Sequence, residues 1–275
     1  MSRFHRNYFY RMYWRQKTTW AFVIMTLAVR IGLVVLLVFG TQAYRGVNFG
    51  GSRAFSEAFY TEFFFDNAMA FIVDPVYAFG VAAMSRYLQD VKFVVRTGSR
   101  AGWVRRYLSL SCYQAGVFLL LLNIPACIAI WMMGGSVAKA SAFILVCMAG
   151  EYLVLVTFSM VWLLAQSLTN SSVAAAAAMI LYGAWDALFG MYDYTDTNGY
   201  LITLDLGIGW SRVFSNIDRS LDLSKLGKMQ GVTSRLVDPF SAALLAGLLA
   251  LFILLSLAAV RRKDFLTVQE EAAKA

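Results

Sequence analysis

Residues 19–43 read TWAFVIMTLAVRIGLVVLLVFGTQA, a stretch of apolar residues with one arginine, Arg30, near its middle. Whether this stretch crosses a bilayer decides the fold. A central arginine costs about 2.5 to 3.5 kcal/mol on the insertion scale, and its fourteen strongly apolar neighbours return about 4 to 8 kcal/mol at about 0.3 to 0.6 each. Insertion wins, so the stretch reads as a span whose arginine faces the protein interior or water and seeks an acidic partner.

Working outward, five further apolar runs reach or approach the roughly twenty residues that a helix needs to cross a hydrocarbon core. With the first they predict an all-α polytopic membrane protein with six transmembrane helices, at approximately 19–43, 67–84, 107–133, 141–168, 172–192 and 239–260. Composition agrees: 60% of the 275 residues are hydrophobic and 15% charged, where soluble domains carry about a quarter charged. The chain reads as one transmembrane domain, 1–275, with no room for a separate soluble one.

Charge sets orientation. The six-span reading puts fifteen Lys and Arg on the side of the two termini and the loop after span two, and eight on the other. The positive-inside rule therefore places both termini in the cytoplasm of a multi-pass plasma-membrane protein. In a soluble chain the net charge of +8 would suggest nucleic acid. Here it is spent on topology and on contact with anionic membrane lipid, and no nucleic-acid partner is expected.

The N-terminal MSRFHRNYFYRMYWRQKTTW is basic, but the apolar run behind it is too long for the core of a cleaved signal peptide and ends without a convincing cleavage site. With Phe4, Tyr8 and Met12 at helical spacing it predicts an interfacial helix leading into span one. Between spans five and six, residues 193–238 are charge-balanced, and Trp210, Val213, Phe214, Ile217 and Leu221 form an apolar stripe. That stripe predicts an amphipathic external helix.

Catalytic signatures are missing. The one histidine, His5, leaves both HExxH zinc proteolysis and Ser-His hydrolysis without their central residue, and there is no GxxxxGK[ST] phosphate loop. The three cysteines lie in apolar runs without metal-ligand or disulfide spacing. No catalytic residue, metal or cofactor is assigned to this chain. The polar residues within spans are Arg30, Asp74 before Pro75, Glu151 and Asp186, with Asp66 near the outer edge of span two. Acids there either line a transport pathway or pair structurally with Arg30 or with backbone freed near Pro75.

The loop after span two is the remaining concentration of chemistry. RYLQDVKFVVR, residues 86–96, predicts a cytoplasmic helix stopping near Gly98, followed by RTGSRAGW at 96–103. Phe93 and Trp103 flank arginines that suit a groove on another protein.

Six spans, cytoplasmic ends, this basic loop, the short break SLTNSS at 167–172, the long outer segment before span six and the tail AVRRKDF together resemble the permease subunits of ABC-2 type exporters. RTGSRAGW is similar to the R-x-G-S-R-x-x-W element of small bacterial permeases of this kind, although the evident glutamate and Gly-Thr pair of better-studied members are absent. The resemblance implies that the loop between spans two and three is a coupling helix. Arg96, Gly98, Ser99, Arg100 and Trp103 would belong to its contact with a separate P-loop ATPase subunit, which binds ATP and Mg. It also implies a second permease copy or homologue, and a cargo such as a peptide antibiotic, a drug-like amphiphile or a lipid-linked molecule. From the residues alone, a proton-coupled transporter using Asp74, Glu151 and Asp186, or a non-transporting sensor or immunity protein, stays open.

Overall fold

The structure is a computed structural model. It describes residues 10–40, 52, 55–56, 59–60, 72–89, 99–190 and 239–262. Every regular element among the described residues is helical. In chain order these are α1 (Lys17–Gly40), α2 (Asp74–Gln89), α3 (Arg100–Met132), α4 (Ser141–Thr169), α5 (Ser172–Gly190) and α6 (Pro239–Arg262), with a helical turn at residues 10–14 leading into α1.

Three stretches are long and apolar enough to cross a membrane: Lys17–Leu36, Arg100–Met132 and Ser141–Thr169. Shorter apolar stretches run over Ser172–Ala184 and Ala246–Arg261. The outward faces fit a hydrocarbon solvent, since α1 exposes Trp20, Ile24, Ile31 and Leu36 and α3 exposes Leu120, Ile124, Ile128 and Trp131. Apolar patches of that extent are rare on a water-facing monomer.

Two helices depart from the expected bounds. The second runs over Asp74–Gln89 behind a π-type turn at 72–73, and so ends five residues beyond the expected Met84, while residues 67–71 lie outside the described residues. The third begins at Arg100, seven residues before the expected Tyr107, because Ser99 is an N-cap whose hydroxyl accepts from Gly102 N at 3.0 Å. This satisfies one of the orphan amides of the first turn. SRAGW is therefore the start of a long helix and not part of a free loop. Residues 90–98, which hold the rest of the expected coupling helix, lie outside the described residues, as do the residues of the expected external helix around Trp210, the region around Tyr8 and Asp66.

The break SLTNSS is as short as expected. Asn170 takes φ 57°, its amide bonds to Gln166 O at 3.0 Å, and Ser171 Oγ accepts from Ala174 N at 3.2 Å. One left-handed residue thus closes α4 and one hydroxyl opens α5.

Helices α2, α3 and α4 form the centre. α1 packs on α2 and α3, α5 on α4 and α2, and α6 on α4 and α3. Phe22 of α1 stacks on Phe118 of α3 at 5.6 Å, and Tyr77 of α2 lies 4.9 Å from the same ring. Gly80 of α2 makes this approach possible: a Cβ there would come within 2.5 Å of the Phe22 ring and 2.6 Å of Gln114 Nε2.

Candidate functional site

Polar side chains from four parts of the chain meet in the bundle. Arg30 of α1, Tyr60, Asn123 of α3 and Glu151 of α4 are all buried, the most exposed being Asn123 at 3%. The Asn123 amide donates to Glu151 Oε2 and to Leu119 O, each at 3.0 Å. The Tyr60 hydroxyl donates to Glu151 Oε1 at 3.0 Å and also lies against Asn123 Oδ1. Arg30 Nε donates to Leu122 O at 2.8 Å, and its guanidinium is an electrostatic neighbour of the Glu151 carboxylate. Cys127, half-buried, borders both charges.

Local sequence explains why these groups converge. Pro125 lies inside α3. It has no amide to give the Leu121 carbonyl one turn back, which leaves that carbonyl without its usual helix partner. Leu122 O, the next carbonyl along the helix, accepts from Arg30 Nε. Tyr60 is carried by a segment whose described residues, Ser52, Phe55, Ser56, Phe59 and Tyr60, are helical. Ser56 Oγ accepts from Ser136 N at 2.8 Å, and Lys139 Nζ reaches Ser52 Oγ at 3.3 Å. The segment is thus tied to the turn between α3 and α4. Phe59 is buried and stacks on Phe55, while Tyr60 meets Phe143 edge-on.

The cluster has a common depth. Arg30 precedes the end of α1, and Asn123 the end of α3, by nine or ten residues, and Glu151 follows the start of α4 by ten. At 1.5 Å per residue each lies about 14 to 15 Å from those shared helix ends, a distance about half the thickness of a hydrocarbon core of about 30 Å. A carboxylate and a guanidinium at that depth require partners, and this set supplies them. Of the chemistry expected from sequence, the structure brings Arg30 and Glu151 together. Among the described residues, what the arrangement can do is hold α1, α3, α4 and the helical residues around Tyr60 in one register.

Asp74 stands elsewhere. It is buried in the first turn of α2, and its carboxylate faces Gly183 of α5, where a Cβ would collide with it. The side chain of Asp186 lies outside the described residues, although its backbone belongs to α5. Among the described residues no group of His, Cys, Asp or Glu has the make-up of a metal site.

At the opposite end of α3 the RTGSRAGW element divides. Arg96 and Gly98 lie outside the described residues. Ser99 and Arg100 are exposed, and Arg100 Nη1 donates to the carbonyl of Arg261 at the end of α6. Trp103, expected to face a partner, is instead 2% exposed. Its indole nitrogen donates to Leu88 O at 2.8 Å and its ring lies 5.8 Å from Tyr107. The reason is helical phase: α3 already runs through Trp103, so the side chain falls on the stripe of Tyr107 and Leu110, which faces the core. Nearby, Ser85 of α2 and Trp162 of α4 both donate to Gln166 Oε1.

Sequence reasoning passed over Tyr60 and Asn123. A signal existed for Asn123, the one amide in LLLLNIPACIA and two residues before a proline. Nothing in FYTEFFF marks Tyr60 as the side chain that enters the core. The lead-in contributes Tyr13, buried against Gln114. Burial pushes its phenol above the ordinary tyrosine range, which keeps it a neutral donor.

Comparison with protein-family models, with curated proteins and with solved structures found no match for this chain.

Proposed function

We propose that the chain is the permease subunit of an ATP-driven exporter of the ABC-2 type, with six spans and both termini in the cytoplasm of a bacterial plasma membrane. Two permease copies would form the pathway, and ATP and Mg would be bound by a separate P-loop ATPase. The chain itself would perform no covalent chemistry. The cargo class is a peptide antibiotic, a drug-like amphiphile or a lipid-linked molecule.

The observation that carries this reading is the anchoring of the junction between α2 and α3. Trp103 holds Leu88 at the end of α2, and Arg100 holds the end of α6. A force applied to residues 90–98 therefore acts on three helices at once, which is what a coupling loop requires. In this reading Arg96, Gly98, Ser99 and Arg100 form the contact, and Trp103 positions it from inside.

Co-purification of the tagged chain from its native membrane tests the reading. An ATPase should accompany the wild type and be lost from an Arg96→Glu, Arg100→Glu variant that still inserts. If neither form brings down an ATP-binding protein, the exporter reading fails. The mid-membrane Glu151 then favours a proton-coupled transporter, which a protonophore should stop regardless of ATP.

A further inference from the structure

We infer that the corner where residues 10–17 cross α3 at 109–114 binds the headgroup of an anionic phospholipid. Three pairs fix the corner. The Tyr10 hydroxyl lies 2.9 Å from Ser109 Oγ, Tyr13 donates to Gln114 Oε1 at 3.2 Å, and Trp14 Nε1 donates to the Tyr113 hydroxyl at 2.7 Å. Tyr10 packs on Tyr113 at 4.8 Å and Trp14 on Trp20 at 5.6 Å.

Both walls of this crossing carry cations. Arg11, Arg15 and Lys17 are exposed on the crossing segment, and Arg105 and Arg106, exposed and half-buried, lie one turn of α3 before Ser109. Neither residues 10–40 nor 99–132 contain an acid, and the acids among the described residues are Asp74, Glu151 and Asp186 alone. The gathered charges have no counter-charge in these segments, and a phosphodiester supplies one.

Depth selects the kind of anion. With 33 residues, α3 is about 50 Å long, some 20 Å more than the hydrocarbon core. Counting about twenty residues back from Met132 puts the core edge at Tyr113, the residue that Trp14 grips. The stacking of Phe22 on Phe118 puts the start of α1 at the same level. Tyr10, Trp14, Trp20 and Tyr113 then form an aromatic belt at the hydrocarbon edge. Arg105 and Arg106 lie about 10 to 12 Å beyond it, and their long side chains can reach back to the phosphate layer. A soluble acidic protein would meet Arg100 further out. An occupant held between the belt and Arg106 has to be a lipid headgroup.

The test uses the full chain purified in neutral detergent and titrated with phosphatidylglycerol, phosphatidylcholine or inorganic phosphate, with apparent melting temperature as readout. Phosphatidylglycerol should stabilise the wild type, and the other two should not. Each arginine neutralised near an anionic surface costs about fivefold in affinity. Arg105→Gln, Arg106→Gln should therefore raise the half-saturating phosphatidylglycerol fraction about 25-fold. Arg11→Gln, Arg15→Gln should do the same from the other wall of the corner, so the site is read even if one double variant fails to fold. Lys139→Gln, at the other end of the bundle, should titrate like wild type. Equal stabilisation by phosphatidylcholine or by inorganic phosphate overturns the proposal, as does wild-type titration by the folded double variants.

Discussion

Arg30 and Glu151 illustrate how a buried charge behaves when water is absent. Each is costly alone, and each is held by neutral donors and acceptors as well as by the other: Tyr60 and Asn123 on the carboxylate, Leu122 O on the guanidinium. Removing one partner leaves the other charge buried and uncompensated, which costs about 3 to 5 kcal/mol, whereas removing both leaves apolar surface and costs far less. Arg30→Met and Glu151→Leu should each destabilise the purified chain by about that amount, with the double variant more stable than either single one. Unfolding in mixed micelles measures all three, and a double variant as unstable as the sum of the singles would show that the charges do not act as a pair. The arginine's need for an acid was legible in sequence because a central cation in an apolar run has few other ways to exist. The choice of Glu151 over Asp74 was not, since both acids lie in apolar surroundings and only the packing of α1 against α3 and α4 selects between them. Tyr60 was illegible for a different reason: its segment lies among aromatic residues that carry no period pointing to one face.

The elements show the same division between local and tertiary information. The break between α4 and α5 was legible because Asn and Ser state their roles locally, Asn by tolerating a left-handed backbone and Ser by capping. That reading has a consequence for substitution. Asn170→Ala should cost about 1 to 2 kcal/mol because a Cβ without a compensating polar group is strained at φ 57°. Asn170→Gly should be neutral or stabilising. Thermal unfolding of the two variants side by side tests this, and equal melting temperatures would mean that the turn relaxes out of the left-handed region. The start of α3, by contrast, was misjudged by seven residues. Hydropathy ends the apolar run at Tyr107, but the helix continues because Ser99 caps it and because Trp103 gains a buried contact with α2 that no window of sequence displays. Helix length and apolar length are separate quantities, and in α3 the difference is the part that leaves the hydrocarbon.

At the scale of the whole molecule, the asymmetry of charge organises the rest. One end of the bundle carries Arg100, Arg105, Arg106, Arg261 and Lys17, while the turn between α3 and α4 at the other end carries Lys139. The positive-inside rule predicts that the basic end faces the cytoplasm. The proposed coupling contact at Arg100 needs it to do so. Accessibility of single cysteines decides the matter in a background with Cys112, Cys127 and Cys147 replaced. Ala138→Cys, exposed in the turn between α3 and α4, should react with a membrane-impermeant maleimide added to intact cells. Thr169→Cys, exposed at the far end of α4, should react only after permeabilisation, because α4 is 29 residues long and spans the core between them. The reverse pattern would turn the basic end outward, away from any cytoplasmic ATPase. It would remove the exporter reading while leaving the mid-membrane cluster intact, since a polar set at the same depth from either surface does not depend on which way the bundle faces.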